Sequence, residues 1–302
     1  MGMDRLTQPQ TVDHGTVGQL LGSLCVRYRF FGSAPIGNSV LGRPIRCLTF
    51  GSGPQCVLMA AAFHGQEWLT ALICLRLCEE IGEALLTGER LAGWDIRRAL
   101  RDRRIVWVPL VNPDGVEIAV HGSASAGEYA DLVRDAGGDV YGCWQANARG
   151  VDINHNFNAG WHELQQAERE NGIIGPCARQ WGGTRPMSEP ETQVLVNLCD
   201  RISFRHVMAL HSQGEEIYWH YGEHTPPESR LMASVMASVS GYTVATPSGL
   251  ASHGGFKDWF IEAHGKPGFT VELGKGTNPL PITEFEDVYQ KARELLVISL
   301  LI

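Results

Sequence analysis

The segment Ala62-Phe63-His64-Gly65-Gln66-Glu67-Trp68 follows an apolar run and opens a second, longer one. His64 and Glu67 stand three apart, so one helical turn brings both side chains to a shared face. A neutral imidazole and a carboxylate are good ligands for Zn2+. A polar pair at the lip of a buried strand is also poorly accounted for by packing. The His-x-x-Glu pattern is weak by itself, because it recurs by chance. A catalytic zinc needs a third protein ligand and one open position. His14, His121, His162, His220, His224 and His264 lie in loops or among charged residues, where a solvated imidazole is expected, and His206 begins a strand as a structural residue. His211 differs, because it ends the apolar run Val207-Met208-Ala209-Leu210. That places an imidazole at the carboxyl end of a central strand, where active residues of such sheets gather. One close pair plus one distant ligand is the usual spacing of a catalytic zinc site. A base is then needed beside the attacking water. In Phe269-Thr270-Val271-Glu272-Leu273-Gly274 the apolar residues alternate to one face, and Glu272 points to the other near the strand end. The competing reading of Glu272 is a structural ion pair.

These residues need elements to hold them. Apolar runs predict strands over 26–30, 44–50, 56–62, 104–110, 207–210 and 269–273. The best helix is 67–86, with Gly88 just beyond it as a stop signal. Further helices are expected over 16–23, 189–202, 228–240 and 284–301. Asn112-Pro113-Asp114-Gly115 reads as a turn. Residues 121–150 and 158–188 read as long loops of the kind that carry binding surfaces. Residues 1–14 read as a loose tail, with one catalytic domain over 15–302. Strands alternating with helices imply an α/β fold with a mixed or largely parallel sheet covered on both faces.

The chain of 302 residues carries a formal net charge of -8, which argues against a nucleic-acid partner. The N-terminus has no apolar signal region, and no run is long enough to span a membrane, so a cytoplasmic enzyme without a membrane partner is expected. The eight cysteines include no Cys-x-x-Cys pair and read as free thiols in a reducing compartment. No oligomeric partner is assigned.

With His64, Glu67, His211 and Glu272 assembled, the chain resembles the zinc carboxypeptidase superfamily. The resemblance covers roughly residues 40–300. It is carried, in order, by His64-Gly65-Gln66-Glu67, Asn112-Pro113-Asp114-Gly115, Gly150-Val151-Asp152-Ile153-Asn154, His211-Ser212, Gly254-Gly255 and Thr270-Val271-Glu272-Leu273. The resemblance implies a three-layer α/β/α sandwich with a mixed, mostly eight-stranded sheet. It implies one Zn2+ per chain on His64, Glu67 and His211, with Glu272 as general base and proton shuttle. It also implies that Asp152 accepts the other ring N–H of His64.

This chain departs from the family pattern at the substrate end. The arginine that grips a terminal carboxylate should follow Asn154, and His155 stands there. Gln145 aligns with the oxyanion arginine, and Leu250 with the tyrosine before the double glycine. Arg149 is a nearby substitute, with a loop ion pair as its competing role. Two stretches, from His211 through Gln213 to Trp219 and from Gly254 through Lys257 to Pro281, resemble the bacterial γ-D-glutamyl-meso-diaminopimelate peptidases. That resemblance implies a small peptide substrate, a muropeptide cut at an isopeptide-like bond. It places Asn154, His155, Gln145, Gln213 and Lys257 around the substrate, with Lys257 taking an acidic group. No glycan-binding module accompanies the domain, which fits soluble muropeptides rather than intact wall. The alternatives are an exo-carboxypeptidase, an N-acyl amino-acid deacylase, or a catalytically dead peptide-binding module.

Overall fold

The computed structural model describes residues 4–137 and 140–302. Eight strands form one sheet: β1 (Gly32–Asn38), β2 (Pro44–Phe50), β3 (Gln55–Ala61), β4 (Arg103–Val108), β5 (Phe204–His211), β6 (Glu216–Tyr218), β7 (Thr243–Ala245) and β8 (Gly268–Glu272). Their spatial order is β1-β2-β4-β3-β5-β8-β6-β7. The central strands β4, β3, β5 and β8 run parallel, while β1/β2, β2/β4 and β8/β6 are antiparallel. The sheet is therefore mixed, as expected.

Alternation along the central strands divides the core in two. Val57, Met59 and Ala61 of β3 join one apolar cluster, and Cys56, Leu58 and Ala60 join the other. Period-two geometry sends successive side chains to opposite faces, so a strand buried on both sides must be apolar throughout. On the first face lie the helices His14–Arg27, Leu69–Thr87, Glu228–Ser240 and Phe285–Ser299. On the second lie Pro190–Arg201 and Phe256–His264. Leu69–Thr87 is buried around most of its circumference. It ends on Gly88 in the left-handed conformation, where glycine carries no Cβ penalty.

Several expectations are corrected. The predicted strand over 26–30 belongs to the end of a helix and a following turn, and the strand begins at Gly32. Asn112-Pro113-Asp114-Gly115 starts the helix Pro113–His121 rather than a turn, with the Asn112 side chain capping Gly115 N–H and proline in the first turn. Both residues suit a helix start as well as a turn. The two long loops contain the helices Ala130–Gly137 and Trp161–Glu170. Of the supposed tail, residues 1–3 lie outside the described residues. Leu6 and Thr7 donate backbone N–H to the Glu79 carboxylate, and Val12 is fully buried. Among the described residues, no helix is long and apolar enough to cross a membrane.

Candidate active site

The site forms where β3, β5 and β8 end. After Ala61 the chain turns through Ala62, a non-glycine residue at φ 52°. That conformation costs roughly 1–2 kcal/mol, and it is held by the Ala62 N–H bond to the Thr70 hydroxyl. His64 caps a 3-10 turn, Gly65–Glu67, before the long helix begins at Leu69. In a 3-10 turn residues three apart eclipse each other, so His64 and Glu67 point the same way. Gly65 is required by close approach: a Cβ there would lie 2.2 Å from the Gly115 carbonyl oxygen. Asn112 braces the turn, donating Nδ2 to the carbonyls of Phe63 and Ala146.

His211 ends β5, and its ring stacks on Phe63 at 4.9 Å. Its Nδ1 is 3.4 Å from Nδ1 of His64 and 3.1 Å from Oε2 of Glu67, while His64 Nδ1 is 2.8 Å from Glu67 Oε1. A tetrahedral zinc with bonds near 2.1 Å separates its ligand atoms by about 3.4 Å. The two nitrogens and the carboxylate therefore suit a zinc ion, and the donor set is that of a catalytic site. His64 turns its other nitrogen, Nε2, to Asp152 Oδ1 at 3.0 Å. Asp152 also accepts N–H bonds from Asn154 and Gln180. An imidazole oriented in this way presents its free nitrogen to a metal in one fixed tautomer.

Buried charge dominates the electrostatics. Burial opposes ionisation of Glu67, yet His64 and His211 hold its pKa down to about 2. Burial likewise opposes charge on His64, but the carboxylates of Glu67 and Asp152 raise its pKa well above the usual value. Burial keeps His211 below its ordinary value. Glu272 pairs in register with His211 across the parallel β8/β5 ladder. Burial first, and then the charge of Glu67, push its pKa well upward. On its other side Glu272 pairs with Glu216 of β6.

One cleft is lined by His64, His211, Glu272, Asp152, Asn154, His155, Gln145 and Lys257. Glu67 is buried behind the histidines. Asn154 uses its side-chain oxygen to accept the Phe256 N–H. The ring of His155 is engaged by Glu168 Oε1 and the Gln180 carbonyl, both at 2.9 Å from Nδ1. Lys257 is not a solvated lysine: it is buried, paired with Asp258 and hydrogen-bonded to the His220 carbonyl. Gln213 is the predicted substrate residue that the cleft leaves out; it is exposed and braces the Gly276 N–H. Arg149 takes the structural role, near Glu189 and Tyr129. Leu250 does not line the cleft, whereas Pro247 and Ala251 beside it do.

Three contributors were missed from sequence. Tyr218 lines the cleft and donates its hydroxyl to Glu216. Its alternation in Glu216-Ile217-Tyr218 was a usable strand signal, but three residues are too few to rank. Gln180 and Arg179 come from the polar stretch 158–188, which has no periodicity to place them.

The zinc carboxypeptidase family profile matches residues 32–295. The chain is 36% identical over 293 residues to gamma-D-glutamyl-L-diamino acid endopeptidase 1 of Lysinibacillus sphaericus, covering 96% of this chain and 72% of that protein. Among solved structures, bovine thrombin-activatable fibrinolysis inhibitor in complex with tick carboxypeptidase inhibitor superposes with a TM-score of 0.74 at 19% identity, covering 95% of both chains. Murein-tripeptide amidase from Escherichia coli O157 superposes at 0.54 with 22% identity, covering 87% of this chain and 91% of that one. The shared fold, the match over most of the chain and the convergent His64-Glu67-His211 donors lead to one conclusion: this chain belongs to the zinc carboxypeptidase family and is a zinc-dependent metallopeptidase.

Proposed function

We propose that this enzyme hydrolyses the amide bond between a γ-linked D-glutamyl residue and a diamino acid, such as diaminopimelate, in muropeptide-type substrates. The observation that carries this reading is the 36% identity, across 96% of the chain, to a gamma-D-glutamyl-L-diamino acid endopeptidase. Its eight cysteines are all free and five are buried, which fits a reducing, cytoplasmic compartment.

His64, Glu67 and His211 would hold one zinc ion, which when bound would supply Lewis acidity to the scissile carbonyl and the attacking water. Asp152 keeps His64 in the tautomer that leaves Nδ1 free. Glu272 takes a proton from the attacking water and passes it to the leaving amine. Its burial and the neighbouring charge of Glu67 support that role, because both raise its affinity for a proton. His155 is paired with Glu168, so it is a poor match for a terminal-carboxylate clamp.

Mass spectrometry of products from L-Ala-γ-D-Glu-diaminopimelate, run beside ordinary C-terminal dipeptides, tests this reading. Release of diaminopimelate from the tripeptide is expected. Cleavage of the dipeptides with the tripeptide left intact would overturn it.

A further inference from the structure

A γ-linked D-glutamyl residue differs from an ordinary peptide in one respect that an enzyme can read. It carries a free α-carboxylate on the acyl side of the scissile bond. That carboxylate must enter a cleft already lined by Glu272 and Asp152, with Glu67 behind them. A zinc ion on His64, Glu67 and His211 would offset part of that repulsion, but recognition of this carboxylate calls for a side-chain cation of its own. The cations that line the cleft are committed elsewhere: Lys257 to Asp258, and His155 to Glu168.

Arg179 is the exception at the rim. Its Nε donates to Gln145 Oε1 at 3.1 Å, and Gln145 lines the cleft. Among the described residues, no carboxylate pairs with its guanidinium, so the two terminal amino groups are left to a ligand. Its backbone is also held in place. The Ala178 carbonyl accepts N–H bonds from both Gln145 and Ala146, and the Trp181 carbonyl accepts the Asp152 N–H. Gln180, at φ 70°, donates its N–H to Asp152 Oδ2. The Gln145 carbonyl accepts the N–H of Gly65, next to the metal-binding His64. A short strap thus ties Arg179 to the same backbone that carries the metal site. The bond from Arg179 Nε also fixes the Gln145 amide, because only its oxygen can face that donor.

We propose that Arg179 is the specificity residue of this enzyme, binding the free α-carboxylate of the substrate's D-glutamyl residue through its terminal amino groups while Gln145 braces its Nε. This rests on the substrate reading above. Guanidinium is suited to the task because it offers paired donors to a carboxylate and keeps its charge.

The test compares L-Ala-γ-D-Glu-diaminopimelate with the same tripeptide amidated at the D-glutamyl α-carboxyl, using wild type, Arg179→Gln and Arg179→Lys loaded with zinc. Wild type is expected to favour the acid by about 10- to 100-fold in kcat/KM, the usual range for a charge-assisted hydrogen bond. Arg179→Gln should lose that preference through a higher KM for the acid, with kcat changed less than about threefold, and affect the amide far less than the acid. Arg179→Lys should recover part of the preference. Zinc content and melting temperature should match wild type in both variants, because Arg179 is exposed. Equal losses on acid and amide, or a preference retained in Arg179→Gln, would overturn the assignment while leaving the substrate reading intact. Failure of wild type to cleave either peptide would overturn both.

Discussion

Removal of the Asp152 carboxylate should weaken zinc binding without touching a ligand atom. Asp152 is buried, 2% exposed, and accepts three N–H bonds at 3.0 Å, from His64 Nε2, Asn154 N and Gln180 N. In Asp152→Ala the His64 ring loses the partner that fixes its tautomer and orientation. Losses of that kind typically cost 10- to 100-fold in metal affinity, or about 1.4–2.7 kcal/mol at 1.36 kcal/mol per decade. Asp152→Asn should fall between. Its single oxygen belongs where Oδ1 accepts two N–H groups, which leaves the amide NH2 against the Gln180 N–H. The His64 bond then survives but loses its charge, and uncharged bonds are roughly half as strong. The pH dependence has a definite sign. Asp152 and Glu67 hold a proton on metal-free His64, and zinc must displace it. Removal of Asp152 weakens the proton's hold as well as the metal's, so the affinity gap should be widest at high pH and narrow as pH falls. Zinc competition against a chromogenic chelator, repeated from pH 6 to pH 9, measures this series. An unchanged zinc Kd in a folded Asp152→Ala protein would refute the proposed support of His64.

Other expectations follow from the same geometry. Glu272→Gln should retain one zinc per chain and lose about 100- to 10,000-fold in kcat, read by metal analysis beside turnover; near-normal turnover would remove Glu272 from the base role. Glu191 is fully buried, and burial with the nearby charge of Asp114 raises its pKa to about 8. The folded state therefore holds a proton that the unfolded chain releases near pH 4.5, so this group's contribution to stability is lost as pH rises from there through about 8. Glu191→Gln should flatten that decline in melting temperature against pH. Lys257→Met should destabilise the fold by about 3–5 kcal/mol, because the buried Asp258 carboxylate loses its partner. Denaturant titration would show this, and Lys257→Met/Asp258→Leu should recover much of the loss.

Much of the site was legible in the sequence because its parts are local or sit at strand ends. The three-residue spacing of His64 and Glu67 is enough to align them, although the turn that does so is a 3-10 turn and not the first turn of the long helix. His211 and Glu272 each follow a run of alternating or continuous apolar residues, so strand periodicity alone predicts where they emerge. Strands Pro44–Phe50 and Phe204–His211 and the helix Glu228–Ser240 were also readable, since their length and apolar pattern outweigh local ambiguity. Asn112-Pro113-Asp114-Gly115 was misread because the residues that favour turns also favour helix starts.

What the sequence by itself determined is the set of candidate groups: two imidazoles and two carboxylates, each tied to an element whose period can be read along the chain. What only the tertiary structure decided is which charges are already spent. Lys257 and Asp258 are adjacent in sequence, yet only burial shows that they neutralise each other. His155 finds Glu168 across a loop, and Arg179 finds Gln145 through a strap pinned at Ala178 and Trp181. Such pairings depend on contacts between segments without periodicity. Their energies come from desolvation and distance, and neither quantity is written in the order of residues.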